Sequence, residues 1–166
     1  MQGGRHLGLG EVHEVAVRQD QSIVLAEPAD PLLGSPDEVY LRAVAGSTAV
    51  SFVYTERAGI PTSPQAGVAA IVTEFSGGTV DEQFFGKVIG QGTTLENVTV
   101  NGQPGFWIQG TPHFFFFRSG TTPGAVEQET LRLAGNTLIW TQGGLLLRLE
   151  AQVDKATALR IAGTMR

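Results

Sequence analysis

Apolar and polar side chains alternate most clearly between positions 39 and 54. Val39 and Leu41 alternate with Tyr40 and Arg42, and beyond a Gly46-Ser47 turn Val50, Phe52 and Tyr54 alternate with Ala49, Ser51 and Val53. A period of two sends successive side chains to opposite faces of a strand, so these runs predict an antiparallel pair. Residues 68–75 centre on the β-branched trio Ile71-Val72-Thr73 and stop at Gly77-Gly78, which predicts a third strand. Residues 95–100 lead into Asn101-Gly102, and Phe106-Trp107-Ile108-Gln109 returns beyond it. That dipeptide tolerates positive φ at both central positions of a two-residue hairpin turn. Residues 136–140 and 145–149 form a second hairpin around Gly143-Gly144. Between the hairpins, Gly110-Thr111-Pro112 breaks one strand and the run His113-Phe114-Phe115-Phe116-Phe117-Arg118 starts another. With apolar residues on both of its faces, that strand is expected in the centre of a sheet or beneath a helix.

Helical spacing occurs in two places. Residues 81–89 carry Phe84, Phe85 and Val88 at helical offsets behind Asp81, and Asp154 precedes a final segment whose Ala158, Leu159, Ala162 and Met165 share a face. Near the start, residues 1–10 read as a flexible lead, residues 14–19 as a short helix, and Ile23-Val24-Leu25-Ala26 as a short strand closed by Pro28 and Pro31. No repeat of fixed period and no inter-domain linker interrupts residues 1–166, which read as one domain. The expected class is α+β: one mainly antiparallel, twisted sheet of about seven to nine strands with the C-terminal helix and the helix at residues 81–89 packed on it. A half-barrel, by analogy with periplasmic lipoprotein carriers, is one version of such a sheet.

Composition narrows the chemistry. The 166 residues hold 11 Lys and Arg against 16 Asp and Glu, a formal charge of −5, so no basic stripe is available to replace phosphate counterions and a nucleic-acid partner is not expected. With no Cys, disulfides, thiolate metal sites and a Cys nucleophile are excluded. The N-terminus lacks the apolar stretch of a secretory signal, and no window approaches the roughly 18 apolar residues of a membrane span. The segment Glu11-Val12-His13-Glu14-Val15-Ala16-Val17 lacks the second His of a zinc-binding HExxH helix, and His6 adds nothing, so no metal is expected. Gly8-Leu9-Gly10 has neither the preceding strand nor the third glycine of a phosphate loop, and no cofactor is expected. Ser22, Ser47, Ser51 and Ser76 stand in no GxSxG elbow. No catalytic set is assembled, and an enzyme is not expected.

The candidates that remain are for binding. Phe106, Trp107, Phe114, Phe115, Phe116, Phe117 and Trp140 form an aromatic group that is either core or the lining of a groove for an apolar ligand. His113 opens the aromatic strand and could bind a ligand or act as an acid or base. Trp107, His113, Phe115, Phe117 and Trp140 are the candidate binding residues. Glu74, Arg148 and Glu150 each interrupt an apolar strand. Arg148 and Glu150 lie two apart, hence on one face, and read first as surface charges; were that face covered, Glu74 and Arg148 would be the candidate buried pair.

Several stretches together resemble one family. They are Leu7-Gly8-Leu9-Gly10, Leu33-Gly34-Ser35-Pro36-Asp37-Glu38-Val39-Tyr40-Leu41, Val72-Thr73-Glu74-Phe75, Gly105-Phe106-Trp107-Ile108-Gln109-Gly110-Thr111-Pro112-His113, Arg132-Leu133-Ala134-Gly135-Asn136-Thr137-Leu138-Ile139-Trp140, Leu147-Arg148-Leu149-Glu150 and Ala158-Leu159-Arg160-Ile161-Ala162. In this order they resemble the extracytoplasmic domain at the C-terminal end of membrane-anchored, anti-sigma-factor-like proteins of actinobacteria and their relatives. Gly163-Thr164 departs from the Ala-x-Ser with which that family often ends its last helix. The resemblance implies a non-enzymatic sensor or interaction domain outside the plasma membrane, tethered through a parent protein's span. The partner implied is an extracytoplasmic protein. Direct contact with a sigma factor is not expected from this chain, which lacks the cytoplasmic Cys and His zinc motif. The alternative, suggested by the aromatic excess, is a carrier of an apolar small molecule or lipid.

Overall fold

A computed structural model of the chain describes residues 32–44, 47–64, 66–76, 92–110, 114–118, 126–130 and 136–165. They form nine strands and one helix: β1 (Glu38–Val44), β2 (Ser47–Tyr54), β3 (Ala70–Ser76), β4 (Thr93–Val100), β5 (Gln103–Gly110), β6 (Phe114–Arg118), β7 (Val126–Thr130), β8 (Asn136–Gln142), β9 (Leu145–Ala151) and α1 (Lys155–Thr164). Seven strands make one antiparallel sheet in the order β1-β2-β3-β9-β8-β5-β4, and β6 and β7 make a separate ribbon. The α+β expectation, with an antiparallel sheet and a C-terminal helix, is met. The expected helices at residues 14–19 and 81–89, the strand at residues 23–26 and the lead at residues 1–10 lie outside the described residues.

Both two-residue turns follow from their side chains. Asn101 and Gly102 have φ of 50° and 79°, and Gly143 and Gly144 have 60° and 79°. Positive φ at both central residues matches the twist of the flanking strands, and Gly and Asn are the residues that reach it cheaply.

The register sorts the sheet's side chains into two faces, because directly paired residues point the same way. One face carries Val50, Phe52 and Tyr54 of β2, Val72 of β3, Leu147 and Leu149 of β9, Leu138 and Trp140 of β8, and Trp107 of β5. These side chains belong to one large buried cluster with Ala158, Ile161, Ala162 and Met165, so α1 covers this face. The second face carries Ala49, Phe75, Leu146, Ile139 and Ile108 as one buried cluster, and Val53 with Ile71 as another. A sheet buried on both faces accounts for the nearly unbroken apolar runs of β3, β8 and β9.

Asp154 caps α1 by accepting the Thr157 backbone N–H at 2.7 Å, one of the donors a helix start leaves unsatisfied. This bond holds the exposed Asp154 carboxyl below its ordinary range. The buried stripe is Ala158, Ile161, Ala162 and Met165, a spacing of three, four and seven; Leu159, expected in the stripe, is one step round the helix and half-buried.

Two strand expectations need correction. The aromatic strand is not central in the large sheet, since β6 pairs with β7 in the ribbon. An apolar run identifies a strand without naming its neighbours. The neighbour, Val126-Glu127-Gln128-Glu129-Thr130, was not expected as a strand at all, because four of its five residues are polar.

Candidate functional site

Trp107 and Trp140, the two candidate binding residues on the large sheet, come together on the helix-covered face. Trp107 stands opposite Leu138, and Trp140 opposite Gly105, so the indoles are diagonal neighbours across β5 and β8. Gly105 makes that arrangement possible: a Cβ there would sit 2.7 Å from the Ile139 carbonyl oxygen and 3.0 Å from the Trp140 Cβ. Both tryptophans are interior, Trp107 at 2% exposure and Trp140 at 0%, among Leu138, Leu147, Leu149 and Ile161. They are core rather than the rim of an opening.

The same face buries some polar atoms. The Trp140 Nε1 and the Tyr54 hydroxyl have no hydrogen-bond partner among the described residues, and Glu74 is buried opposite Leu147. Burial pushes the Tyr54 phenol far above its usual range, with the negative charges of Glu74 and Asp37 acting in the same direction and Arg57 against it. Tyr54 is therefore a neutral phenol at physiological pH, and its ring carries the Arg57 guanidinium at 5.0 Å.

His113 lies outside the described residues. Phe115 and Phe117 stand in β6 opposite Glu129 and Glu127. The predicted group is thus divided between the large sheet and the ribbon.

On the second face, the structure overturns the reading of Arg148 and Glu150 as surface charges. Arg148 is 1% exposed and Glu150 0%, and Arg148 Nη2 meets Glu150 Oε1 at 2.8 Å. Their i, i+2 spacing was legible, while the burial of their face was not, because local alternation says which residues share a side and nothing about what covers it. The expected Glu74–Arg148 pair is also overturned. Glu74 pairs in register with Leu147 and Arg148 with Thr73, so the two point to opposite faces.

Around the ion pair run further buried polar groups that sequence reasoning passed over. Ser51 Oγ and Thr73 Oγ1 are 3.1 Å apart across β2 and β3, Thr73 stands opposite Arg148, and Thr137 stands opposite Glu150. The seam separates the Val53–Ile71 cluster from the cluster of Ala49, Phe75, Ile108, Ile139 and Leu146. Arg148 also lies over the Phe75 ring at 5.4 Å. The signal available in sequence was one polar residue at the same phase in each of several apolar strands. Chemically the pair neutralises itself. It supplies opposite charges at a fixed position, with hydroxyls alongside.

Two clasps hold the periphery. Asp37 Oδ2 accepts from the Thr55 backbone N–H at 2.7 Å, the Thr55 hydroxyl at 2.8 Å and Arg57 Nη1 at 2.9 Å, while Arg57 also donates to the carbonyls of Leu33 and Ser35. These bonds, the Thr55 backbone bond first, hold the Asp37 carboxyl below its ordinary 3.8. At the other end, Asn101 Nδ2 and Gln142 Nε2 both donate to the Met165 carbonyl, at 3.3 and 2.8 Å, tying the end of α1 to two strand ends.

Among the described residues no group of three or more His, Asp or Glu is placed to hold a metal ion, and no helix is long and apolar enough to cross a membrane. Compared with protein-family models, curated proteins and solved structures, the chain matches none of them.

Proposed function

We propose that the chain is a non-enzymatic sensor or interaction domain on the extracytoplasmic side of a bacterial plasma membrane, working as part of a longer, membrane-anchored, anti-sigma-factor-like protein. The resemblance of its sequence motifs suggests this class. The observation that supports it over an apolar-ligand carrier is the position of Trp107 and Trp140: the aromatic residues best suited to line a groove are interior beneath α1. A carrier in the form of a half-barrel would need such residues around an accessible hollow.

Native mass spectrometry of the chain purified without detergent tests the choice: the polypeptide's own mass is expected, and a co-purifying lipid or apolar small molecule overturns it in favour of the carrier. Location is tested separately. The chain has no Cys and Thr62 is exposed, so Thr62→Cys gives this domain a single thiol, read against the parent protein without the substitution. Labelling by a membrane-impermeant maleimide in intact cells is expected; labelling only after lysis overturns the extracytoplasmic assignment.

A further inference from the structure

Within the seven-stranded sheet, the β4–β5 and β8–β9 registers are fixed by two-residue turns, and β1, β2 and β3 follow one another in the chain. The seam between β3 and β9 has no such help. Ser76 and Leu145 stand opposite each other although 145 − 76 = 69 positions separate them. Their register has to come from side chains.

Most of those side chains discriminate poorly. A one-residue slip would turn the face of every side chain and is strongly disfavoured, but a two-residue slip preserves the faces. On the helix-covered side it exchanges one aliphatic for another among Ala70, Val72, Leu147, Leu149 and Ala151, and Glu74 still faces an aliphatic residue, Leu145 or Leu149 in place of Leu147. The second face is different. There Ser51, Thr73 and Arg148 continue one another across β2, β3 and β9, and Glu150 closes on Arg148. A slip of two sets the buried guanidinium opposite Ile71 in one direction and opposite Phe75 in the other.

We propose that the seam Ser51, Thr73, Arg148 and Glu150 is a register lock, selecting one pairing of β9 on β3. A buried ion pair is weak support for stability, because desolvation offsets most of its attraction, and specifying register is the best-attested use of buried polar groups. Here the pair sits at the β3–β9 seam, an alignment that no turn determines. The proposal holds whatever the domain binds.

The chain has no Cys, so engineered pairs can read the register by disulfide formation. Ser76→Cys with Leu145→Cys reports the observed register, and Ser76→Cys with Leu147→Cys reports a two-residue slip. Combined with Arg148→Met and Glu150→Leu, the slipped crosslink is expected to rise roughly threefold or more over its level beside the native seam. A folded Arg148→Met/Glu150→Leu protein with the slipped crosslink unchanged overturns the lock. Should that variant not fold, the exchange Arg148→Glu/Glu150→Arg keeps an opposite-charge pair on the same face. In the exchanged protein the guanidinium at position 150 stands opposite Ile71 in the observed register and opposite Thr73 after the slip that Ser76→Cys with Leu147→Cys reports, so a rise in the slipped crosslink is expected; failure to fold, or the observed-register crosslink alone, overturns the proposal.

Discussion

Thr73 and Thr137 offer a matched pair in which the same substitution is expected to have opposite signs. Both are buried on the second face, Thr73 at 1% exposure and Thr137 at 0%. The Thr73 hydroxyl is 3.1 Å from the Ser51 hydroxyl, whereas that of Thr137 has no hydrogen-bond partner among the described residues. Replacement by Val keeps the branched shape and removes only the polar function. At Thr73 the bond is lost, and Ser51, at 9% exposure, regains some solvation from water, so the loss should be about 1 kcal/mol. At Thr137 the hydroxyl is desolvated without compensation, a cost of ~1–3 kcal/mol, so Val should stabilise by about 1 kcal/mol. In a domain of this size that is a rise of about 2–4 °C in Tm. Urea titrations measure both: the midpoint should fall for Thr73→Val and rise for Thr137→Val, each with an unchanged slope. A Thr137→Val protein that loses as much stability as Thr73→Val would refute the reasoning, since the two hydroxyls would then be equally well satisfied.

Asn101 combines two roles that two substitutions separate. Asn101→Gly keeps the positive φ and removes the bonds to Gln142 and Met165, for an expected loss of about 1 kcal/mol. Asn101→Ala also places a Cβ residue in the left-handed region and should lose about 1 kcal/mol more, read as a lower thermal midpoint. The Asp37 clasp predicts a pH dependence. Because its folded pKa lies below the unfolded value near 3.8, its contribution is complete above that value and disappears as pH falls through the folded pKa. Asp37→Asn should therefore lower the urea midpoint at neutral pH, and the gap from the parent should narrow progressively as the pH falls below 3.8. A gap that persists in acid removes the clasp from the argument.

What could be read from the amino-acid order was what depends on near neighbours. The alternation of Val50, Phe52 and Tyr54, the Asn101-Gly102 and Gly143-Gly144 turns, and the Asp154 cap all express constraints within a few residues, and each appears as expected. Arg148 and Glu150 mark where this ends. Their shared side follows from strand geometry, but its burial depends on distant parts of the chain. The Glu74–Arg148 pairing failed for the same reason, because only the β3–β9 register shows which residue meets which. The ribbon of β6 and β7 is a third instance: a polar strand is recognisable only beside its partner. Of the candidate binding group, Trp107 and Trp140 do meet, yet whether such a cluster is interior or accessible is decided by α1, which enters the chain after both of them.

The pairing of β3 with β9 also sets a timetable. During synthesis β1, β2 and β3 leave the ribosome early and can pair among themselves, but the free edge of β3 faces its partner only after the last strand has been made. Until then Val72 and Phe75 lack most of the surface that covers them in the finished sheet. Long-range pairing of this kind slows folding and prolongs the exposure of an unpaired apolar edge. A nascent chain stalled before residue 145 therefore displays a sticky three-stranded meander, the form most in need of a chaperone.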